Sequence, residues 1–458
     1  MERKIAWEKY SQEEMEKVFA FAENYRQFLS LGKTERECVK LAVAEAKAHG
    51  YEDLQDVIAS GKTLKTGDKV YSVCMGKTLA MFQIGEEPLE NGMNIVGAHI
   101  DSPRIDLKQN PLYEDTDMAM FDTHYYGGIK KYQWVALPLA LYGVVAKKDG
   151  TTVDIAIGDD PSDPVFGISD LLPHLAREQM TKTASKIIEG EDLNLLIGSI
   201  PVKDEEKDAV KKNVLALLKE KYDIEEDDFI SAEIEVVPAG AARDYGFDRS
   251  MIMGYGHDDR VCAYPSYEAM FELGSVKRTA VCLLVDKEEI GSTGATGMTS
   301  FWFENTAAEV INACGDYSDL KVRRCLNNSR MLSSDVSAGF DPNYPSVMEK
   351  NNSSFLGKGL TFNKYTGSGG KSGSNDANAE YVALVRRIMD DANVTWQTAE
   401  LGKVDAGGGG TIAYLMAKYG MDVIDSGVPV LSMHAPWEII SKADLYEALK
   451  GYIAFLNA

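Results

Sequence analysis

The sequence predicts an α/β protein in which a mixed sheet forms the main domain and a β-rich domain is inserted into it. After residue 250, buried strand-like segments alternate with helical patterns up to the C-terminus. Between about 105 and 249 the chain is rich in aromatic and β-branched residues, and Gly-Gly and Asp-Gly turn signals interrupt it. The length of 458 residues suffices for two or three domains. We therefore predict a discontinuous domain from 1–104 and 250–458 and an inserted domain from 105–249.

The first hundred residues predict helices followed by strands. The stretch FAENYRQFLSLGKTERECVKLAVAEAKAHG (21–50) has apolar residues at helical spacing and ends at Gly50, a typical helix stop. The stretch KVYSVCMGKTLAMFQIG (69–85) is typical of two paired strands, and MNIVGAHID (93–101) is typical of a buried strand with an abrupt polar end.

The predicted insert contains one strongly polar piece, 201–229, whose pattern indicates a single helix. The following stretch, ISAEIEVVPAG (230–240), alternates apolar and polar residues like a half-exposed strand. Aromatic and β-branched residues make the insert a candidate for building contacts between subunits.

Charge and cysteine usage exclude several classes of protein. The formal charge of -23 disfavours nucleic acid or an anionic membrane as a partner, because phosphate is repelled. The N-terminal stretch has no signal-peptide pattern, and no apolar run approaches the ~18 residues of a membrane span. Six scattered cysteines without a C-x-x-C pair indicate reduced thiols, so we predict a cytoplasmic protein.

Histidines and carboxylates follow five apparent strands. In open α/β sheets, ligands bind outside the carboxyl ends of the strands. Five such endings in a protein with six histidines are difficult to assign to chance. The residues concerned are His99 and Asp101, His257 to Asp259, Glu288 and Glu289, Asp335, and His434.

Imidazole and carboxylate ligands without cysteine suit a divalent transition metal held for hydrolysis. The number of candidate ligands exceeds what one tetrahedral ion needs, so the set indicates two ions that share a carboxylate. Alternation along the chain directs His257 away from Asp258, which favours a packing role for this histidine.

The motifs GAHIDSP, GHDDR, DKEEIGS, SSDVSAG and SMHAPWE, in this order and spacing, resemble the M18 metallopeptidases, the group of aspartyl aminopeptidase and aminopeptidase I. The resemblance covers nearly the whole chain. It implies a dimetal aminopeptidase with two zinc ions, or manganese or cobalt in their place. His99 and Asp335 would bind one ion, Glu289 and His434 the other, and Asp258 would bridge both.

The resemblance also implies roles for other residues. Glu288 would be the general base, which takes a proton from water and later gives it to the leaving amine. Asp101 is placed to accept the second ring N–H of His99 and so to fix its tautomer. The PHLA motif of the insert would place His174 in a neighbouring subunit's active site, and family members form closed dodecamers.

The sequence departs from the family pattern at two positions. Where the family commonly has Asp-Asn, this chain has Asp258-Asp259, as in the M42 aminopeptidases, which adds a negative charge near the site. Many aspartyl aminopeptidases have a histidine where this chain has Asp341. Lys364 and Lys371 are candidates for binding an acidic side chain, but Asp341 would repel one, so we expect neutral or basic N-terminal residues to be preferred.

The glycine-rich stretch VDAGGGGT (404–411) lacks the Gly-Lys-Ser/Thr of a phosphate loop and is better explained as a loop that lets backbone approach the substrate. Two alternative functions stay open at this point. One is another dimetal amidohydrolase, such as a deacylase or a carboxypeptidase, and the other is a non-catalytic assembly protein.

Overall fold

The structure is a computed structural model of the chain and describes residues 4–315 and 317–458. Ten α-helices occur in this part of the chain. They are α1 (Gln12–Leu31), α2 (Glu35–Ala48), α3 (Leu54–Ser60), α4 (Ala209–Tyr222), α5 (His257–Phe271), α6 (Trp302–Ala313), α7 (Asp319–Asn328), α8 (Ala379–Asp391), α9 (Ala413–Ala417) and α10 (Lys442–Leu456).

The same residues form 22 β-strands, several of them only two residues long. They are β1 (Glu52–Asp53), β2 (Lys69–Cys74), β3 (Thr78–Gln83), β4 (Met93–His99), β5 (Arg104–Asp115), β6 (Met118–Tyr126), β7 (Leu139–Ala146), β8 (Thr152–Ile157), β9 (Leu195–Gly198), β10 (Ala232–Pro238), β11 (Arg243–Tyr245), β12 (Met251–Gly254), β13 (Thr279–Val285), β14 (Arg330–Ser334), β15 (Ser337–Ala338), β16 (Leu360–Asn363), β17 (Gly367–Ser368), β18 (Trp396–Thr398), β19 (Gly408–Gly409), β20 (Asp422–Gly427), β21 (Pro429–Leu431) and β22 (Glu438–Ser441).

The chain divides into two compact units. The first comprises Met1–Asp101, Ala242–Met433 and Glu438–Ala458, and the second comprises Ser102–Ala241 and His434–Trp437. The first unit resumes at Ala242, ahead of the predicted position 250, because β11 already pairs with β12 in a sheet of that unit. That each unit folds as an independent domain stays a prediction.

The first unit is built on a nine-stranded mixed sheet with the order β1-β2-β3-β13-β4-β14-β20-β16-β18. Its four central strands, β13, β4, β14 and β20, are parallel neighbours. The central strand β13 is buried along its whole length. Cys282 and Leu284 belong to one hydrophobic core, and Leu283 and Val285 belong to the other. A sheet covered on both faces thus explains the continuous apolar run in the sequence.

Helices cover both faces of this sheet. The first core contains residues of α1, α2, α5, α8 and α10, and the second contains residues of α3, α6, α7 and α9. A smaller five-stranded sheet has the order β11-β12-β22-β21-β15. The predicted alternation of strands and helices after residue 250 is confirmed.

The register of the parallel strands brings their carboxyl ends to one edge of the sheet. Val285 at the end of β13 is the partner of His99 at the end of β4, and Ser333 near the end of β14 is the partner of Gly97. Side chains that follow these strands therefore gather at a single edge.

The second unit contains a six-stranded antiparallel sheet with the order β8-β7-β10-β5-β6-β9, and α4 is its one α-helix within the described residues. The prediction that β10 is half-exposed is wrong. This strand lies between β7 and β5, and Glu235, which the alternating pattern would leave in solvent, is buried with its carboxylate 3.1 Å from Arg104 Nε. Among the described residues, no helix combines the length and the apolar character required to traverse a lipid bilayer.

Candidate metal centre

His99 ends β4 and is 2% exposed. Its Nδ1 lies 2.9 Å from the main-chain oxygen of Asp101. Because a carbonyl oxygen only accepts, Nδ1 carries a hydrogen, so the neutral ring would have its lone pair on Nε2. Nε2 lies 3.1 Å from Oδ1 of Asp258 and 3.9 Å from Oδ1 of Asp335. The ring nitrogen that can bind a metal thus faces two predicted ligands.

Asp258 occupies the first turn of α5, where its backbone is not helical (φ -78°, ψ 103°). The neighbouring His257 is fully buried, with Nδ1 2.7 Å from the hydroxyl of Tyr25 and Nε2 3.2 Å from the main-chain oxygen of Ile252. Both ring nitrogens of His257 therefore have protein partners, which agrees with the packing role expected for it.

Glu288 and Glu289 lie in a single 3₁₀ turn directly after β13. Left-handed backbone conformations at Lys287 (φ 69°) and Gly291 (φ 85°) bound this turn. The two carboxylate oxygens of Asp101 accept the main-chain N–H groups of Glu288 at 3.1 Å and of Glu289 at 3.2 Å. The main-chain oxygen of Asp101 accepts the hydrogen bond from Nδ1 of His99 at 2.9 Å, and the Asp101 carboxylate lies 3.4 Å from the same nitrogen. The sequence predicted that Asp101 would accept the ring N–H of His99, but it did not indicate the bonds from the Asp101 carboxylate to the glutamate turn.

Asp335 follows β14 and completes the cluster at the sheet edge. The described part of the chain contains two groups of possible metal ligands, and within each group the donor atoms all lie within 4.8 Å of one another. One consists of His99, Asp258 and Glu289, and the other of His99, Glu288 and Asp335. Five of the predicted site residues, from four separate segments, are thus brought together.

The electrostatics of this cluster suit a divalent cation. Burial, reinforced by the nearby carboxylate of Glu288, raises the pKa of Asp335 well above its ordinary value. Burial opposes the charged form of His99, yet the neighbouring carboxylates of Asp101 and Asp258 hold its pKa well above the ordinary value. Carboxylates that repel one another around an imidazole are the donor set whose repulsion a divalent ion removes. The residues therefore fit the metal that the motifs imply.

Asp259, where the sequence departs from the family pattern and where a negative charge is expected, lies in a buried environment. The side chain is 0% exposed. Burial, opposed by His99 and reinforced by the adjacent Asp258, raises the pKa of Asp259 well above its ordinary value. A protonated aspartate has nearly the shape of the asparagine that the family commonly has here.

His434, the fifth predicted ligand, belongs to the second unit. Its Nδ1 lies 2.9 Å from the main-chain oxygen of Gly128, so Nδ1 carries the hydrogen and Nε2 the lone pair. This tautomer is suited to metal binding through Nε2, and the role of His434 as a ligand stays a prediction.

The predicted substrate-binding residues differ in their exposure and in their hydrogen-bond or ion-pair partners. His174 is exposed in the second unit. The Asp341 carboxylate accepts the main-chain N–H of Asn343 at 2.8 Å and thereby closes a turn. Lys364 forms an ion pair with Asp376, whose second carboxylate oxygen lies 3.0 Å from Lys371. The two lysines are therefore engaged with an acidic partner of their own chain.

One further polar residue, which the sequence did not predict, contacts a predicted ligand. Glu438 is 1% exposed, and its Oε2 accepts the main-chain N–H of Asp258 at 3.0 Å. The only signal in the sequence is an acidic residue four positions after His434, within the motif SMHAPWE.

Comparisons with known proteins agree with this geometry. The profile of the family described as "Aminopeptidase I zinc metalloprotease (M18)" matches residues 28–456. The chain is 65% identical over 457 residues to a probable M18 family aminopeptidase 1 of Clostridium acetobutylicum, covering 100% of this chain and 98% of the relative. It is 45% identical to the crystal structure of an M18 family aminopeptidase from Thermotoga maritima, with a TM-score of 0.95 and coverage of 100% and 99%. A structure described as the S. cerevisiae mApe1 dodecamer is 20% identical, with a TM-score of 0.75 and coverage of 95% of each chain, and this likeness concerns the fold.

Proposed function

The chain belongs to the M18 family of zinc metalloaminopeptidases, and on that premise we propose which of its residues carry out the hydrolysis of an N-terminal peptide bond. The protein is a metalloaminopeptidase, a hydrolase that removes the N-terminal residue of a peptide. The comparisons favour neither alternative that the sequence left open, the deacylase or carboxypeptidase and the non-catalytic assembly protein.

We propose that the centre holds two divalent ions, with zinc as the native metal. His99 and Asp335 would hold one ion, Glu289 and His434 the other, and Asp258 would be shared. Two overlapping donor groups support this proposal, because together they offer more ligands than one four-coordinate ion takes. When bound, such ions supply Lewis acidity, which polarises a carbonyl group and makes water a better nucleophile near neutral pH.

The observation that carries the assignment is that two adjacent glutamates fall into different donor groups. Glu289 shares a donor group with Asp258, whereas Glu288 shares the other with Asp335. We propose that Glu288 is the general base: its carboxylate accepts a proton from the attacking water and then donates it to the leaving amine. Glu288 is partly exposed, so water can reach it, and Asp101 holds its main chain in place.

The test compares Glu288→Gln with Glu289→Gln. Glu288→Gln keeps the size of the side chain and removes the base, so kcat should fall by about 10²–10⁴ while the zinc content stays near that of the parent. Glu289→Gln removes a ligand and should lower the zinc content itself. The exposed Glu220 on α4 offers a matched control, because Glu220→Gln should change neither quantity.

Chelation of the parent enzyme completes this experiment. Removal of the metal should abolish hydrolysis, and zinc, manganese or cobalt should restore it. If Glu288→Gln emptied the site, the roles of the two glutamates would be reversed. Full activity of a preparation shown to be metal-free would refute the metal mechanism as a whole.

We propose that the protein self-associates, with a homododecamer as the assembly and the second unit as its interface. Exposed apolar side chains support this proposal. In the short segment around His174, Leu171, Leu172 and Leu175 are 44%, 50% and 67% exposed, and several exposed apolar side chains in one segment are typical of an interaction surface. The yeast dodecamer with the same fold supports it as well. His174 would then reach the active site of a neighbouring subunit.

We propose a preference for neutral or basic N-terminal residues over acidic ones. An acidic side chain needs positive charge in its pocket, and the two candidate cations, Lys364 and Lys371, are both paired with Asp376. Asp341 supplies a negative charge where acidic-specific relatives often have histidine.

We propose the cytoplasm as the location. The described cysteines are free thiols, and five of the six are buried. Free thiols in this number are typical of a reducing compartment.

A further inference from the structure

Glu438 begins β22, directly after the segment His434–Trp437, and it belongs to the first unit. Burying a carboxylate is costly unless strong hydrogen bonds compensate for the lost water. The 1% exposure of Glu438 therefore requires a structural reason.

The partner of this carboxylate is the backbone of a predicted metal ligand. Oε2 of Glu438 accepts the main-chain N–H of Asp258 at 3.0 Å. Asp258 lies in the first turn of α5, where main-chain N–H groups have no acceptor within the helix. The backbone of Asp258 is not helical there (ψ 103°), and its Oδ1 lies 3.1 Å from Nε2 of His99. A side chain from another element must therefore satisfy this N–H group and maintain the turn.

We propose that Glu438 is a positioning residue for the metal centre: its carboxylate holds the main chain of Asp258 in the conformation that would present the Asp258 carboxylate to the metal. The inference rests on the proposed function of Asp258 as the bridging ligand. Asp101 provides a parallel, since its buried carboxylate accepts the N–H groups of Glu288 and Glu289 in the same way. Two of the ligand-bearing turns are thus held by carboxylates that act on backbone rather than on metal.

If Glu438 holds Asp258 in place, its removal should weaken the affinity of the protein for the metal. Removing a residue that orients a metal ligand typically weakens metal binding by about 10–100-fold. Glu438→Ala removes the acceptor and should show a loss of this size. Glu438→Gln keeps one acceptor oxygen but loses the charge, and a charged bond is roughly twice as strong as a neutral one, so a loss of about threefold or more is expected.

The measurement is the affinity of the metal-free, full-length protein for Zn²⁺, determined by competition with a chromophoric chelator. Thermal unfolding of the metal-free proteins is recorded in parallel. Asp444 is the matched control, because it is 0% exposed and its carboxylate accepts two main-chain N–H groups, of Gly357 at 2.7 Å and Gly359 at 2.6 Å, without belonging to either donor group. Asp444→Ala should lower the unfolding temperature and leave zinc affinity unchanged.

Weakened zinc binding by the Glu438 variants, with parent-like affinity in Asp444→Ala, would support the proposal. A loss of zinc affinity below about tenfold in Glu438→Ala would overturn it, since removal of a residue that orients a ligand typically costs about 10–100-fold. If Glu438→Ala does not fold, Glu438→Gln decides instead, and a loss below about threefold would overturn the proposal. A parent protein that binds no zinc would instead contradict the proposed function, so the two failures are distinguishable.

Discussion

Substitution of Glu268 by glutamine should stabilise the protein, and the gain should grow with pH. Glu268 lies on α5 outside the metal centre. Burial, with the negative charges of Glu45 and Glu272 beside it, raises the pKa of Glu268 from 4.5 to about 7. At about 1.36 kcal/mol per pKa unit, this difference corresponds to about 3 kcal/mol of folding free energy. Because part of the side chain is exposed, solvent screening reduces the expected effect to about 2 kcal/mol.

The sign follows from proton binding in the two states. The folded state holds its proton up to about pH 7, whereas the unfolded chain releases it near 4.5. Stability is therefore lost as the pH rises from 4.5 to about 7, and the full penalty persists above that range. Glutamine does not titrate, so Glu268→Gln removes the penalty and should be more stable than the parent by about 2 kcal/mol at pH 8 and by about 1 kcal/mol near pH 5.5.

The assay is urea unfolding of parent and variant at both pH values, with identical protein and metal concentrations. Glu220→Gln, on the exposed side of α4, controls for the general effect of removing one negative charge. An advantage of Glu268→Gln that is equal at the two pH values would refute the reasoning, because it would show that the titration of Glu268 is not its source.

Two further predictions concern assembly and specificity. Deletion of 105–249 should abolish both oligomerisation and activity, and His174→Ala should lower activity while the assembly persists; a fully active monomer in light scattering would contradict this. On a panel of aminoacyl-anilides, kcat/KM should be higher for neutral or basic residues than for aspartate, since a carboxylate about 4 Å from Asp341 would be repelled by about 4 kcal/mol at an effective dielectric near 20. Asp341→His should shift the ratio toward aspartate, whereas a tenfold or greater preference of the parent for aspartate would show that Asp341 does not face the pocket.

Most of the ligand cluster could be predicted from local sequence. His99, Asp258, Glu288, Glu289 and Asp335 each follow an apolar strand segment. His99, the two glutamates and Asp335 follow parallel strands that end at a common edge, so the order of apolar runs and polar endings indicated a site there. Asp258 instead follows β12, which has antiparallel neighbours in the smaller sheet, so this rule did not place it. The interpretation of His257 as a packing residue also rested on local alternation, and both its ring nitrogens are bonded within the core.

Environment-dependent properties could not be predicted in the same way. Asp259 was expected to bring a negative charge near the site, but its side chain is completely buried, and burial raises its pKa well above the ordinary value. Glu235 was expected to be exposed, but β10 lies inside its sheet and the carboxylate pairs with Arg104. In both cases the local sequence would be equally compatible with a solvated side chain, because burial depends on which strands and helices cover the residue.

The sequence by itself determined the alternation of elements, the chemistry of the donors and their family, since periodicity and motif spacing are local properties of the chain. Only the tertiary structure decided how these donors are supported. The carboxylate of Asp101 reaches the main chain of Glu288 and Glu289, 187 and 188 residues away, and Glu438 reaches that of Asp258, 180 residues away. Nearly every residue has the same main-chain N–H group, so the sequence does not indicate which carboxylate will accept a hydrogen bond from a particular one. Such contacts arise from the packing of distant elements, and they are specified only when the whole fold is in place.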